Sequence, residues 1–109
     1  VEGIDTTKLK TLSEKENLTV FDVRKPGEYL SEHLPDAKNT PLDFINEHMY
    51  EFPTGTPFYM HCAGGYRSMI AASILKSRGI HNLIDVRGGF DAIKESGMKV
   101  SDYVCPSTL

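Results

Sequence analysis

A cysteine, two glycines and an arginine stand together in His61-Cys62-Ala63-Gly64-Gly65-Tyr66-Arg67-Ser68. The apolar run Pro57-Phe58-Tyr59-Met60 leads into this segment, and a helical pattern from Ser68 to Arg78 leads out of it. Cys62 therefore falls at a strand end and Arg67 at a helix start. Glycine lets the backbone curl until successive N–H groups point inward. The helix N-terminus adds a partial positive charge, and Arg67 adds a full one. A thiol in such a cradle is expected to ionise readily, and the thiolate is the nucleophile. The chemistry implied is covalent catalysis at Cys62, with Ala63, Gly64, Gly65, Tyr66 and Arg67 as the loop that holds the anion. The bland alternative is a buried, inert core thiol; the flanking glycines and Arg67 argue against it.

The other chemistry-bearing side chains carry weaker readings. Asp22 and Arg24 end a strand on the same sheet edge as Cys62. They either shape the pocket mouth or form a structural pair, with Asp22 bonding loop amides or an arginine. Arg67 either closes the cradle or caps the loop by bonding its carbonyls. Tyr66 lines the entrance or fills space. By strand alternation His61 points away from Cys62, as a packed histidine rather than a base. Glu28 and His33 are expected to brace the loop after the second strand. His33, His48 and His81 lack metal-ligand spacing with one another or with Cys62, so no metal is expected. Cys105 lies in the tail Val104-Cys-Pro-Ser-Thr-Leu109 and is either incidental or a resolving thiol.

Alternating strands and helices must position these groups. Val1–Ile4 reads as a weak strand. Asp5 or Thr6 can cap a short helix that carries Leu9 and Leu12 on one face. Leu18–Val23 is a strand, and Pro26 opens a short helix through Leu30. Ala37–Thr40 is extended, and Leu42–Tyr50 reads as a helix with Phe44, Ile45 and Met49 inward. Pro53–Pro57 is a turn cluster and Phe58–His61 a strand. The helix after the Cys62 loop ends at Gly79. Asn82–Val86 is a strand, Gly88-Gly89 a turn, and Phe90–Glu95 a last helix stopped by Gly97. This order argues for a parallel sheet covered on both faces. In such sheets ligands bind at the carboxyl ends of strands, where Cys62 sits.

The chain has 109 residues, 39% of them hydrophobic and 25% charged, a composition suited to one globular domain, 1–109, with its core at about 18–100. A net charge of −3 offers no basic field for nucleic acid or an anionic membrane. No apolar stretch approaches the roughly 18 residues of a membrane span. Two cysteines make no disulfide framework, and a free thiol suits a reducing, cytoplasmic setting. The chain starts at Val1, not Met, which is expected of a processed product or of a domain excised from a longer protein, the second being the favoured reading.

Three stretches together resemble the rhodanese-like sulfurtransferases, from about Leu18 to about Val100. Phe21-Asp22-Val23-Arg24-Lys25-Pro26-Gly27-Glu28-Tyr29 is similar to the family's Asp-Val-Arg opening motif. Glu32-His33-Leu34-Pro35-Asp36-Ala37-Lys38-Asn39-Thr40-Pro41-Leu42 is similar to its Gly-His-Ile-Pro-Gly-Ala stretch. Cys62 to Arg67 is similar to its active-site loop. Val86-Arg87-Gly88-Gly89-Phe90 resembles the closing Gly-Gly turn, without the tryptophan that usually follows. Glu32 and Asp36 stand where the family has glycines. Ala63 and Gly64 stand where thiosulfate-using members often place basic residues.

The resemblance implies a rhodanese-like α/β fold: a parallel five-stranded sheet with helices on both faces. It implies ping-pong sulfur transfer. Cys62 thiolate takes the outer sulfur of a persulfide or thiosulfate donor and passes it from a Cys62 persulfide to a thiol or cyanide acceptor, with no cofactor. The implied partners are glutathione persulfide, polysulfide or thiosulfate as donor, and a fused or associated enzyme of sulfur metabolism. The Cys-Ala-Gly-Gly-Tyr-Arg-Ser form looks more like the single domains fused behind metallo-β-lactamase-type persulfide dioxygenases than like the thiosulfate-using members. Two rivals stand beside this reading. One is a dual-specificity-type phosphatase, whose loop has one residue more between cysteine and arginine. The other is a non-catalytic interaction module, whose members generally lose the cysteine that this chain keeps.

Overall fold

The computed structural model describes residues 2–15, 18–35, 37–53, 55–98 and 100. Five strands, β1 (Glu2–Ile4), β2 (Val20–Asp22), β3 (Ala37–Asn39), β4 (Phe58–His61) and β5 (Leu83–Val86), form one sheet in the order β1-β5-β4-β2-β3. Every pairing is parallel. Parallel neighbours need crossover connections, and these supply the covering layers. The helices are α1 (Thr6–Lys15), α2 (Pro26–Ser31), α3 (Tyr66–Ser77) and α4 (Gly89–Glu95), with a 3₁₀ segment at Leu42–Glu51. Among the described residues no helix is long and apolar enough to cross a membrane.

Alternation along the strands separates two cores. Phe21, Val23, Phe58, Met60, Cys62 and Leu83 face α3 and the 3₁₀ segment, meeting Ala71, Ala72, Leu75 and Ile45. Val20, Tyr59 and Val86 face the other layer, meeting Leu9 of α1 and Ile93 of α4. The expected helices on both faces are present. Phe21 and Phe52 meet edge-on at 4.8 Å between ring centroids, and Phe21 and Phe58 at 5.4 Å. Such pairs add about 1 kcal/mol beyond the area they bury. They anchor the N-terminal half of the central strand β4, which fixes where its carboxyl end, and hence Cys62, emerges.

Two elements depart from the sequence expectation. The segment from Leu42 is a 3₁₀ helix with a break at Phe44 (φ −121°, ψ 21°). Three residues per turn place Leu42 over Ile45, and Phe44 turns outward, 51% exposed. Leu42, Ile45 and Met49 line the core; the inward placement of Phe44 does not hold. The helix after the loop starts at Tyr66, two residues before the predicted Ser68, because Gly65 (φ +104°) turns the chain straight into it. That left-handed conformation favours glycine.

Candidate active site

Cys62 follows β4, in the middle of the sheet, and is 1% exposed. The Gly65 amide donates to Cys62 Sγ at 3.0 Å. The thiol in turn lies 3.7 Å from Ser68 Oγ, its acceptor, and the Ser68 hydroxyl donates to the Gly65 carbonyl at 3.2 Å. The sulfur thus sits inside a turn whose first helical residues close over it.

The carbonyl side of the loop is held from outside. The Phe90 amide donates to the Cys62 carbonyl at 2.6 Å, and the Asp91 amide to the Ala63 carbonyl at 3.1 Å. His61 Nδ1 lies 3.1 Å from the same Cys62 carbonyl; as the Nδ1–H tautomer it donates there. These contacts pull the carbonyls away from the sulfur. Among the described residues no acceptor takes the Ala63 or Gly64 amide. The α4 amides come this close because residue 89 is glycine. A Cβ there would stand 2.5 Å from the Cys62 oxygen and 2.6 Å from the Ala63 oxygen, and its φ is +61°. The Gly88-Gly89 turn is therefore part of the site, a role that the sequence reading did not give it.

The two arginines are both committed to carboxylates. Arg24 Nε reaches both Asp22 oxygens at 2.9–3.0 Å, and its Nη2 reaches Asp22 Oδ2 at 2.7 Å. The Arg24 amide also donates to Asp22, at 2.9 Å. The same Nη2 also donates to the Glu32 carbonyl at 2.7 Å, and the guanidinium face lies 4.1 Å over the Phe90 ring. Asp22 and Arg24 are thus a buried structural pair under the loop's carbonyl side. Arg67 Nη1 and Nη2 reach the Glu28 oxygens at 2.6 and 3.1 Å. Its charge is met by Glu28 of α2 and not by loop carbonyls. This hydrogen bond, above all, holds the Glu28 carboxyl below the usual range, and holds the Arg67 guanidinium above its own. Glu28 also accepts the Lys25 amide at the start of α2, at 3.2 Å.

His61 is fully buried, on the sheet face opposite Cys62, stacked on Phe90 at 5.9 Å. Burial pushes its imidazole below the usual range, outweighing the pull of Asp22. It is neutral packing, not a base beside the thiol. His33 joins Tyr29, with a ring stack at 3.9 Å and a bond from Nδ1 to the Tyr29 carbonyl. Tyr66 is 86% exposed, at the rim. Beside the loop an open groove of about 600 Å³ runs between α2 and α4, lined by Arg24, Lys25, Glu28, Ala63, Phe90 and Lys94 among others. Asp36 and Cys105 lie outside the described residues.

With this geometry in view, the comparisons with known proteins agree. The rhodanese-like domain profile matches residues 5–96. A sulfurtransferase of Allochromatium vinosum is 30% identical over 101 residues, covering 92% of this chain and 94% of that one. A thiosulfate sulfurtransferase of Pseudoalteromonas translucida is 31% identical over 81 residues, covering 74% and 77%. The crystal structure of a rhodanese-related protein from Thermoplasma volcanium superposes with a TM-score of 0.81 at 28% identity, over 93% of this chain and 98% of that one. The strand order, the cysteine loop after the central strand and these likenesses together show that the chain belongs to the rhodanese-like domain family.

Proposed function

We propose that this chain is a sulfurtransferase that carries sulfane sulfur as a persulfide on Cys62. The observation that carries the reading is the Gly65 amide aimed at Cys62 Sγ at 3.0 Å, in a loop whose Cys62 and Ala63 carbonyls are drawn away by Phe90 and Asp91. An N–H cradle of that kind stabilises an anion on sulfur as an oxyanion hole does on oxygen. With Cys62 1% exposed, what reaches it must be narrow, such as a single terminal sulfur. The thiolate attacks the outer sulfur of the donor. The new S–S bond forms as the donor's S–S bond breaks, and the donor's inner sulfur leaves as a thiolate or sulfite. A thiol or cyanide acceptor then removes the outer sulfur and restores the Cys62 thiolate.

The donor favoured is glutathione persulfide or polysulfide over thiosulfate. Arg67 is engaged with Glu28, and Ala63, Gly64 and Gly65 add backbone but no charge. A compact dianion such as thiosulfate gains most from cationic partners. Cys62 through Arg67 also make a shorter loop than the phosphatase rival needs.

Intact mass after exposure to glutathione persulfide tests the reading. One sulfur adds to the wild type, a mild thiol removes it, and Cys62→Ser shows no stable adduct. Catalytic efficiency is higher with glutathione persulfide than with thiosulfate, and aryl phosphates stay intact. Loading that persists in Cys62→Ser, or rapid aryl phosphate hydrolysis by the wild type, would overturn it.

A further inference from the structure

The groove between α2 and α4 has no part in the chemistry above, yet it opens on the cysteine loop. Ala63, the residue after Cys62, is part of its wall. Its volume of about 600 Å³ falls within the roughly 300–1,000 Å³ usual for small-molecule sites. Cys62 is 1% exposed, so a sulfur that reaches it leaves the body of its carrier outside. The groove is the space beside the loop in which that body can lie. Gly27 keeps the α2 wall low: a Cβ built there has nothing within 4 Å.

The charges of the groove describe its occupant. Arg24 is answered by Asp22, Glu28 by Arg67, and Glu32 by Lys94. Lys25 and Asp91, both exposed groove residues, enter no ion pair among the described residues. Lys94 meets Glu32 at 2.8 Å, and its side chain stays 49% exposed. An ammonium has three donors, so Lys94 has room for a second carboxylate. Two ammonium groups and one carboxylate thus have capacity to spare. Their complement is a small body with two carboxylates and one ammonium.

We propose that the α2–α4 groove binds the body of a small peptide thiol that brings sulfur to Cys62 or takes it away, with Lys25 and Lys94 meeting its carboxylates and Asp91 its ammonium. A tripeptide thiol such as glutathione has that charge set, and three residues reach about 10 Å when extended. The groove would then select the carrier while the cysteine loop handles its sulfur. Thiosulfate and cyanide have no body to seat there. The inference rests on the sulfur-transfer reading and names the substrate class that the site is built to admit.

The test uses S-methylglutathione, which keeps the charges of the tripeptide but has no thiol to exchange. Binding is followed by amide chemical shifts in wild type, Lys25→Glu, Asp91→Lys and Gly27→Leu. The amides of Ala63, Phe90 and Asp91 should shift in the wild type. Lys25→Glu and Asp91→Lys should each raise Kd roughly fivefold, the loss of an exposed pair with repulsion added. Gly27→Leu should raise it by about tenfold or more, because the new side chain fills the groove. Leucine is the better helix former, so that variant should fold. The diethyl ester of S-methylglutathione should bind more weakly than the acid. In turnover, Lys25→Glu should raise the ratio of the KM for glutathione to the KM for cyanide by a similar factor. No binding to the wild type, an affinity untouched by Gly27→Leu and Lys25→Glu, or tighter binding of the ester would overturn the proposal; the last would mark the groove as an apolar dock. A wild type that loads sulfur on Cys62 but does not bind S-methylglutathione would sink the groove alone. Sulfur loading retained in Cys62→Ser would sink the sulfur-transfer reading and leave the binding result standing.

Discussion

Arg24 and Arg67 each set two guanidinium nitrogens against one carboxylate, at 2.7–3.0 Å for Asp22 and 2.6–3.1 Å for Glu28. Their settings differ. The Arg24 and Asp22 side chains are 6% and 0% exposed, whereas those of Arg67 and Glu28 are 30% and 37% exposed. The buried pair is also tied to the Glu32 carbonyl, the Arg24 amide and the Phe90 ring. The exposed pair joins the first turn of α3 to α2 across open solvent. Burial makes a pair dear to break, since the survivor is left charged and dry. Exposure makes it cheap to break and open to salt. The carbonyl side of the cysteine loop therefore rests on a rigid clasp, and the helix side on an adjustable one.

The largest effect should come from the buried clasp. Arg24→Ala leaves Asp22 as an unpaired anion beneath the loop, and should cost about 3–5 kcal/mol of stability. Arg24→Lys should recover only part, because a point charge cannot serve both Asp22 oxygens, the Glu32 carbonyl and the Phe90 face together. Urea unfolding of the three proteins measures this. A loss below about 1 kcal/mol in the alanine variant would erase the distinction drawn between the pairs.

Next in size is the approach of α4 to the loop. Gly89→Ala drives a Cβ to within 2.5 Å of the Cys62 oxygen at a positive φ. Backbone must move, because the obstructing atoms are carbonyls and not flexible side-chain ends. Stability should fall by about 1–3 kcal/mol. Sulfur transfer should fall by about a hundredfold, since a displacement near 1 Å is enough for that at a reacting centre. Steady-state turnover on folded protein reads it out. Wild-type turnover would mean that the Phe90 and Asp91 amides do not set the loop.

What was legible in the sequence follows the reach of each signal. Strand and helix order came from local periodicity and from punctuation by proline and glycine, and the structure keeps it. The separation of Cys62 from His61 followed from strand alternation alone. Phe44 was misplaced because a 3₁₀ turn has three residues, not 3.6, and nothing local announces that change. The pairing of Arg67 with Glu28 joins residues far apart in the chain. No spacing rule encodes it, because it depends on where α2 falls beside the loop after β4. The role of Gly89 was half visible: a Gly-Gly turn could be read, but not the loop carbonyls packed against it.

The smallest effect should come from the exposed clasp, and pH separates it from the buried groups. The Arg67 hydrogen bond lowers the Glu28 carboxyl. Its contribution to stability is therefore present above the ordinary carboxylate range and is lost as pH falls through the lowered value. Because both partners are about a third exposed, that contribution should be below about 1 kcal/mol and should shrink with salt. His61 works the same way in a higher window. Burial lowers its imidazole, so its neutral form supports the fold above the ordinary histidine range of about 6.5 and resists acidification below it. The wild type should therefore lose stability in two steps on acidification, first from His61 and then from Glu28. Glu28→Gln should remove the lower, salt-sensitive step and leave the upper one intact. Urea midpoints across pH, at low and high salt, decide it. If Glu28→Gln instead removed the upper step, or cost as much as Arg24→Ala, the exposed pair would be part of the rigid clasp, and burial would not be what separates the two.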